Sequence, residues 1–402
     1  MKKLLLFGAG KIGRSFIGQL FSLGGYEVVF VDVNKALIDA LNKKGSYPVV
    51  IRSDEGEEVL EIRNIRGLYL EETEAIAAEF EEASVVATAV GNDNLGEVIP
   101  VIAKGIQHKI DQKSLSPTDI IIAENLRHAA AYFEKELRRY FPVAFIHQSI
   151  GLIETSIGKM VPIMTKKDLE EDITRVFAEP YNTLILDKKG FRNPLPDIQG
   201  LAPKENMKAW VDRKSFIHNL GHAAAAYFGY LKHPDLVYLY QVLEDGEVLQ
   251  FTRDTMLQSG RILRLKYPEA FTDLDIREHI DDLIKRFRNR SLGDTVFRVG
   301  QDLFRKLDRN DRLAGAIHIA LDTNKPYTNI LKALVYGMHF RAKDEKGAMF
   351  EGDVRFSALL SSKGMEHLLK NICGFDPVIH PEVFILSKNY NIEVLKRFPD
   401  NN

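Results

Sequence analysis

The chain has 402 residues, 45% of them hydrophobic and 27% charged, with a formal net charge of −2. That length suits about two or three globular domains. The near-neutral balance, with no block of like charge, gives no electrostatic reason for nucleic acid or an anionic membrane as partner. Cys373 is the single cysteine, which excludes a disulfide framework and a cysteine-rich metal site.

The opening apolar run Leu4-Leu5-Leu6-Phe7 is too short for a signal peptide and leads straight into glycine. No apolar stretch approaches the roughly 20 residues of a membrane helix. The chain therefore reads as complete and cytoplasmic. The same run has the continuous apolar character of a buried parallel strand. Gly8-Ala9-Gly10-Lys11-Ile12-Gly13 follows, then a helical pattern through Phe16, Ile17, Leu20 and Phe21 that ends at Gly24-Gly25. A second strand, Val28 to Val31, closes on Asp32. Strand, Gly-x-Gly-x-x-Gly, helix, strand and acid form the dinucleotide fingerprint in its required context. Gly8 permits the tight turn, Gly10 lets the backbone approach a pyrophosphate, and Gly13 allows close helix–strand packing. Asp32 lies nineteen residues after Gly13 and suits the adenosine ribose hydroxyls. Its carboxylate would repel a 2′-phosphate, which favours NAD over NADP.

Residues 47–65 read as a hairpin inserted in the sheet, around Asp54-Glu55-Gly56. Further parallel strands are expected at 84–88, 119–123 and 143–146, leading into Val90-Gly91, Glu124-Asn125 and His147. Helical patterns lie between them at 95–106 and 129–140. This alternation indicates a parallel sheet with helices on both faces. Ligands gather at the carboxyl ends of such strands, which places Val90, Gly91, Glu124 and Asn125 where a nicotinamide ring would lie. Asn125 also suits a plain strand-end cap.

Turn and linker signals cluster at 190–206, in Asn193-Pro194-Leu195-Pro196 and Ala202-Pro203-Lys204. Helical periodicity dominates beyond them, at 214–230, 235–249, 273–289, 312–321, 329–339, 357–360 and 365–373. The expected fold class is α/β: a Rossmann-type doubly wound parallel sheet over 1–195, then a mainly α-helical substrate domain over 196–402. A substrate cleft between two domains is the default expectation.

The first of these helices reads Lys214-Ser215-Phe216-Ile217-His218-Asn219-Leu220-Gly221-His222. At about 100° per residue, Lys214 stands at 0°, His218 near about 40°, His222 near about 80° and Asn219 near about 140°. One side thus offers a proton acceptor, an amide donor and an imidazole. Read alone, this also suits a solvated polar helix face. Zinc is not expected: cysteine ligands are absent, and Asn219 stands where the metalloprotease pattern puts Glu. Lys214 then remains as acid–base, its pKa lowered by burial. Asn219 and His222, with Asn125, suit hydrogen bonds to a carbonyl or alkoxide oxygen. His218 reads as packing. Arg298, Arg305, Lys306, Arg309, Arg312, His339 and Arg341 make the stretch 298–341 basic. That suits a clamp for phosphate or carboxylate, and equally solvated charge with Asp308 and Asp311 as partners.

Together these residues resemble the polyol-specific long-chain dehydrogenases, a family that includes mannitol dehydrogenases, mannitol-1-phosphate 5-dehydrogenases and uronate reductases. The resemblance spans nearly the whole chain. It lies in Gly8 to Gly18, Asp32-Val33-Asn34, Thr88 to Gly91, Glu124-Asn125, Lys214…Asn219-Leu220-Gly221-His222, Arg298-Val299-Gly300, Arg305-Lys306-Leu307, Asp311-Arg312-Leu313 and Met338 to Arg341. The compact length is nearest to the mannitol-1-phosphate 5-dehydrogenase group. The resemblance implies a metal-independent, NAD-dependent interconversion of a sugar alcohol, best taken as its phosphate, and the ketose. Mannitol 1-phosphate and fructose 6-phosphate are the pair implied. It makes Lys214 the acid–base, Asn219 and His222 the groups that position the reacting oxygen, and Asn125 a further polar contact. The family pattern has Val-Asp-Arg followed two residues on by Pro. Here Ile157-Gly158-Lys159-Met160-Val161-Pro162 puts Gly158 and Lys159 in those places. The change keeps a hexuronate or unphosphorylated polyol open as substrate, and a nucleotide-binding regulator without catalysis as a third reading. A monomer or small homo-oligomer fits.

Overall fold

The structure is a computed structural model that describes residues 2–114 and 116–399. By contacts the chain divides into two compact units, Met1–Val211 and Asp212–Asn402.

Among the described residues the first unit is built on eleven strands: β1 (Lys3–Phe7), β2 (Glu27–Asp32), β3 (Ser46–Ser53), β4 (Gly56–Arg63), β5 (Ile65–Tyr69), β6 (Val85–Thr88), β7 (Thr118–Ile122), β8 (Ile150–Ser156), β9 (Val176–Ala178), β10 (Leu184–Asp187) and β11 (Leu201–Lys204). Eight form one sheet in the order β11-β10-β8-β7-β6-β1-β2-β5, parallel throughout except for the β10–β8 pair. Within it, the order β5-β2-β1-β6-β7-β8 is the doubly wound one, with its reversal between β1 and β6. Side chains alternate across the pleat. Leu4 and Leu6 therefore enter one buried cluster with Phe16, Phe30 and Tyr47, and Leu5 and Phe7 enter the opposite one with Val29, Phe80 and Phe133. Burial on both faces is the reason β1 reads as an unbroken apolar run.

Three expectations for this unit need correction. Residues 143–146 are not a strand: Val143–Ser149 is a helix after Pro142, and only Ile146 of it is buried. The strand is the next segment, β8, whose buried residues alternate with Leu152 and Glu154. The 47–65 hairpin is not inserted in the large sheet. β3 and β4 pair antiparallel, and β9 joins β3 to make a separate three-stranded sheet. Ala202-Pro203-Lys204 is not linker: it lies in β11, paired with β10. A proline is tolerated there because β11 is an edge strand and Pro203 needs no ladder N–H.

The second unit is helical. Its largest elements include Leu220–Lys232, Gly246–Lys266, Asp273–Phe287, Thr328–Met338, Glu351–Lys363 and Pro381–Arg397. Aromatic packing joins them, with Phe228 stacked on Tyr336 at 5.1 Å between ring centroids. Gly246–Lys266 runs far beyond the expected end at 249, and Pro381–Arg397 was not expected at all. The latter leaves Ile385, Ile392 and Leu395 exposed, so no apolar stripe announces it. Among the described residues no helix is long and apolar enough to cross a membrane.

Candidate active site

The glycine-rich turn stands at the carboxyl end of β1. Gly8 has φ +101°, and a Cβ there would lie 2.4 Å from the Ala89 carbonyl oxygen. A Cβ on Gly13 would lie 1.9 Å from the Gly8 carbonyl oxygen. Gly10 differs, with no atom within 4 Å of where its Cβ would stand. Gly8 and Gly13 thus answer to the fold, while Gly10 keeps open space before the backbone. That space fits a pyrophosphate on the N–H groups that open the helix. Lys11 is exposed there, and Ile12 packs against the core beneath.

Asp32 closes β2 and braces this turn. Its carboxylate accepts from the Ala9 N–H at 2.7 Å and from the Asn34 N–H at 2.9 Å. At the end of β6, Val90 and Gly91 both donate to buried Glu124, each at 2.9 Å. Burial raises the Glu124 carboxyl above its ordinary range, and the two N–H groups oppose that shift. Glu124 therefore shapes the Val90-Gly91 turn, accepting one N–H on each carboxylate oxygen. Asn125 follows on the exposed side, its carbonyl accepting from the Asn92 amide at 3.2 Å. The fingerprint helix also buries Arg14, whose Nε and Nη1 have no hydrogen-bond partner among the described residues.

In the helical unit, Lys214–Asn219 is a π-helical stretch continuous with Leu220–Lys232. This changes the expected geometry. A π turn bonds i→i+5, so residues five apart come into register along the helix. Lys214 and Asn219 are five apart, and the widened turn narrows the angle between two positions that an ideal α-helix would separate by about 140°. The Phe216 carbonyl is taken by the Ser259 hydroxyl of the neighbouring Gly246–Lys266 helix. The fingerprint helix uses the same device: Gly13–Gly18 is π-helical, and the Tyr47 hydroxyl donates to the Arg14 carbonyl at 2.9 Å.

Lys214 is partly exposed, yet the surround of its ammonium is desolvating. Burial, with the Arg312 guanidinium second, lowers its pKa to about 8. Arg312 donates to the Asn219 carbonyl at 3.4 Å and to Asp311 at 2.8 Å. His222 stacks on Phe287, with ring centroids 4.1 Å apart at 19°. Burial, followed by Arg298, Arg312, Lys306 and Arg286, holds its pKa well below the ordinary value. His218 is buried with its ring 5.6 Å from Phe287, as packing requires.

Part of the basic stretch gathers here. Arg298 pairs with Asp294, Arg305 with Asp302 and Asp311, and Arg312 with Asp311. Buried Lys306 donates to the Val299 carbonyl at 2.7 Å, and burial pushes its pKa well down. His339 and Arg341 make bonds of their own. His339 bonds Asn391 at 2.7 Å on the last helix, and Arg341 donates to the Met338 and Phe340 carbonyls at 2.9 and 2.8 Å. At Gly158 an added Cβ would meet only the Tyr181 ring at 3.5 Å, so nothing steric demands glycine there. Lys159 donates to Asn182 at 2.8 Å. Among the described residues, no group of three or more His, Cys, Asp or Glu could hold a metal ion.

Phe287 and Asp294 were not singled out from sequence. Asp294 precedes Thr295, which caps Val296–Gly300. An Asp-Thr pair before a helix reads as ordinary capping.

The mannitol dehydrogenase Rossmann domain matches residues 2–200, and the mannitol dehydrogenase C-terminal domain matches residues 206–381. Among solved structures, a substrate-free D-sorbitol dehydrogenase superposes with a TM-score of 0.80 at 15% identity, covering 98% of this chain and 93% of that one. Pseudomonas fluorescens mannitol 2-dehydrogenase, in a ternary complex with NAD and D-mannitol, gives 0.74 at 16% identity, covering 100% and 92%. At these identities the superpositions speak for the fold. The two family models together cover most of the sequence, and the chain belongs to the mannitol dehydrogenase family, carrying both of its domains.

Proposed function

We propose that the protein is an NAD-dependent oxidoreductase that interconverts a sugar alcohol phosphate and its ketose, mannitol 1-phosphate and fructose 6-phosphate being the leading pair. The observation that carries the reading is Lys214, with a pKa lowered to about 8, on one π turn with Asn219. Gly8, Ala9, Gly10, Lys11, Ile12 and Gly13 would hold the cofactor pyrophosphate, with Asp32 at the adenosine ribose and Val90 and Gly91 nearer the nicotinamide. NAD, when bound, supplies the hydride acceptor for oxidation and the donor for reduction.

In oxidation, neutral Lys214 takes the hydroxyl proton as the carbon–oxygen bond becomes a carbonyl. In reduction its ammonium returns that proton. The Asn219 amide donates to the oxygen, where charge develops. His222 hydrogen-bonds the substrate beside it, and Asn125 is a further polar contact. Arg298, Arg305 and Arg312 would clamp an anionic group. This is a metal-independent scheme, since Lys214 does the proton transfer.

The pH dependence follows from the Lys214 shift. The base is neutral above its pKa, so polyol oxidation should rise through pH about 8 and level off. Ketose reduction needs the ammonium, so it should fall through the same range. Matched pH–rate profiles check this, and two limbs of the same sign would count against Lys214.

One observation favours a second substrate class. Arg298, Arg305 and Arg312 each already have a carboxylate partner, which weakens the case for a phosphate. Steady-state reduction of fructose 6-phosphate, fructose and fructuronate by NADH separates the readings. The leading reading expects kcat/KM to be highest for fructose 6-phosphate. A higher value for fructose or fructuronate would replace it with an unphosphorylated polyol or a hexuronate. Inactivity across the panel would favour a nucleotide-binding regulator.

A further inference from the structure

Two buried polar atoms of the helical unit face each other without partners. His222 Nε2 and Asp294 Oδ2 are both shielded from solvent, and neither makes a hydrogen bond among the described residues. They stand 3.6 Å apart, with side chains 13% and 5% exposed. That separation is only a few tenths of an ångström beyond a hydrogen bond. A buried donor and acceptor left unmade are costly, and small rotations would join them.

Both groups are held for this meeting. Phe287 lies under the imidazole nearly parallel to it and fixes the plane of the ring. Arg298 occupies Oδ1 of Asp294, which leaves Oδ2 aimed at the histidine. The Asp294 carbonyl accepts from the Leu239 N–H at 2.8 Å, and two residues on the Val296 N–H donates to the Val237 carbonyl at 2.8 Å. The acid is therefore pinned through its backbone as well as its side chain.

We propose that Asp294 is the positioning residue of His222: it accepts the Nε2 proton, holds the ring on Phe287 and fixes the tautomer with a free lone pair on Nδ1. A neutral imidazole has one N–H, and a carboxylate can only accept, so pairing at Nε2 decides the state of Nδ1. The burial and positive surround that hold the His222 pKa down keep the ring neutral. His222 then receives a hydrogen bond from a substrate hydroxyl through Nδ1, and Asn219 is left as the donor to the reacting oxygen. The kinetic part of this inference rests on the dehydrogenase reading; the tautomer does not.

Nitrogen-15 NMR of histidine-labelled protein, with the His222 signals assigned by their loss in His222→Gln, tests the tautomer directly. The substrate-free protein should show a protonated Nε2 and an unprotonated Nδ1. In Asp294→Asn that pattern should be lost, and kcat should fall about 10- to 100-fold with KM and NADH affinity nearly unchanged. A protonated Nδ1 in the parent protein would overturn the proposal, as would full kcat in Asp294→Asn. Should Asp294→Asn not fold, the parent spectrum decides by itself. Should no polyol or ketose be turned over, the spectrum still decides for Asp294 while the dehydrogenase reading fails alone.

Discussion

Lys214→Ala is expected to lose about 10²- to 10⁴-fold in kcat, the usual share of a positioned acid–base group. NADH binding should stay close to that of the parent protein, because the cofactor fingerprint lies in the other unit. Lys214→Arg should be as poor, since a guanidinium keeps its charge and never becomes a base at assay pH. The comparison matters because Lys214 could otherwise serve as a fixed positive charge for an alkoxide, a role that arginine would keep. Arg312→Met probes the same group from outside. Removing the neighbouring cation should raise the Lys214 pKa and carry the oxidation limb to higher pH. Steady-state rates with a fluorescence titration of NADH check all three. Full turnover in Lys214→Ala would sink the mechanism.

Gly10→Ala and Gly13→Ala should part company, although both replace fingerprint glycines. Gly13→Ala puts a methyl group 1.9 Å from the Gly8 carbonyl oxygen, and that neighbour is backbone. The helix must move off β1, with a stability loss of roughly 1–3 kcal/mol or more. Gly10→Ala meets nothing within 4 Å, so thermal unfolding should be unchanged. Its methyl group would fill the open space proposed for the pyrophosphate, and NADH affinity should fall at least about tenfold, or ~1.4 kcal/mol. Thermal melts beside NADH titrations read both effects. Parental NADH affinity in Gly10→Ala would mean that the cofactor does not approach the turn there.

The strands that were legible are those buried on both faces. Each of β1, β2, β6 and β7 carries a short apolar run, at residues 4–7, 28–31, 85–87 and 120–122. The 143–146 run was misread because four apolar residues in a row look alike in a strand and in a short helix. Which one forms is decided by burial, and only Ile146 is buried. The Pro381–Arg397 helix was invisible for the opposite reason: several of its apolar residues face solvent.

By itself the sequence determined the glycine-rich turn and the doubly wound parallel sheet, because each depends on local spacing, and its resemblance to a known family nominates Lys214 as the proposed proton-transfer group. Gly8, Gly10, Gly13 and Asp32 act within one strand–turn–helix–strand unit, and Lys214, Asn219 and His222 lie on one continuous helix. Tertiary structure decided how those groups are held. The π turn that brings Lys214 and Asn219 into register is supported by Ser259, forty-three residues away. Arg312 lowers the lysine pKa from ninety-three residues beyond Asn219, whose carbonyl it contacts. Asp294 stands 3.6 Å from His222 because backbone bonds to residues 237 and 239 pin its loop there. Such partners leave no periodic trace in the chain, since their energy comes from burial and approach in space.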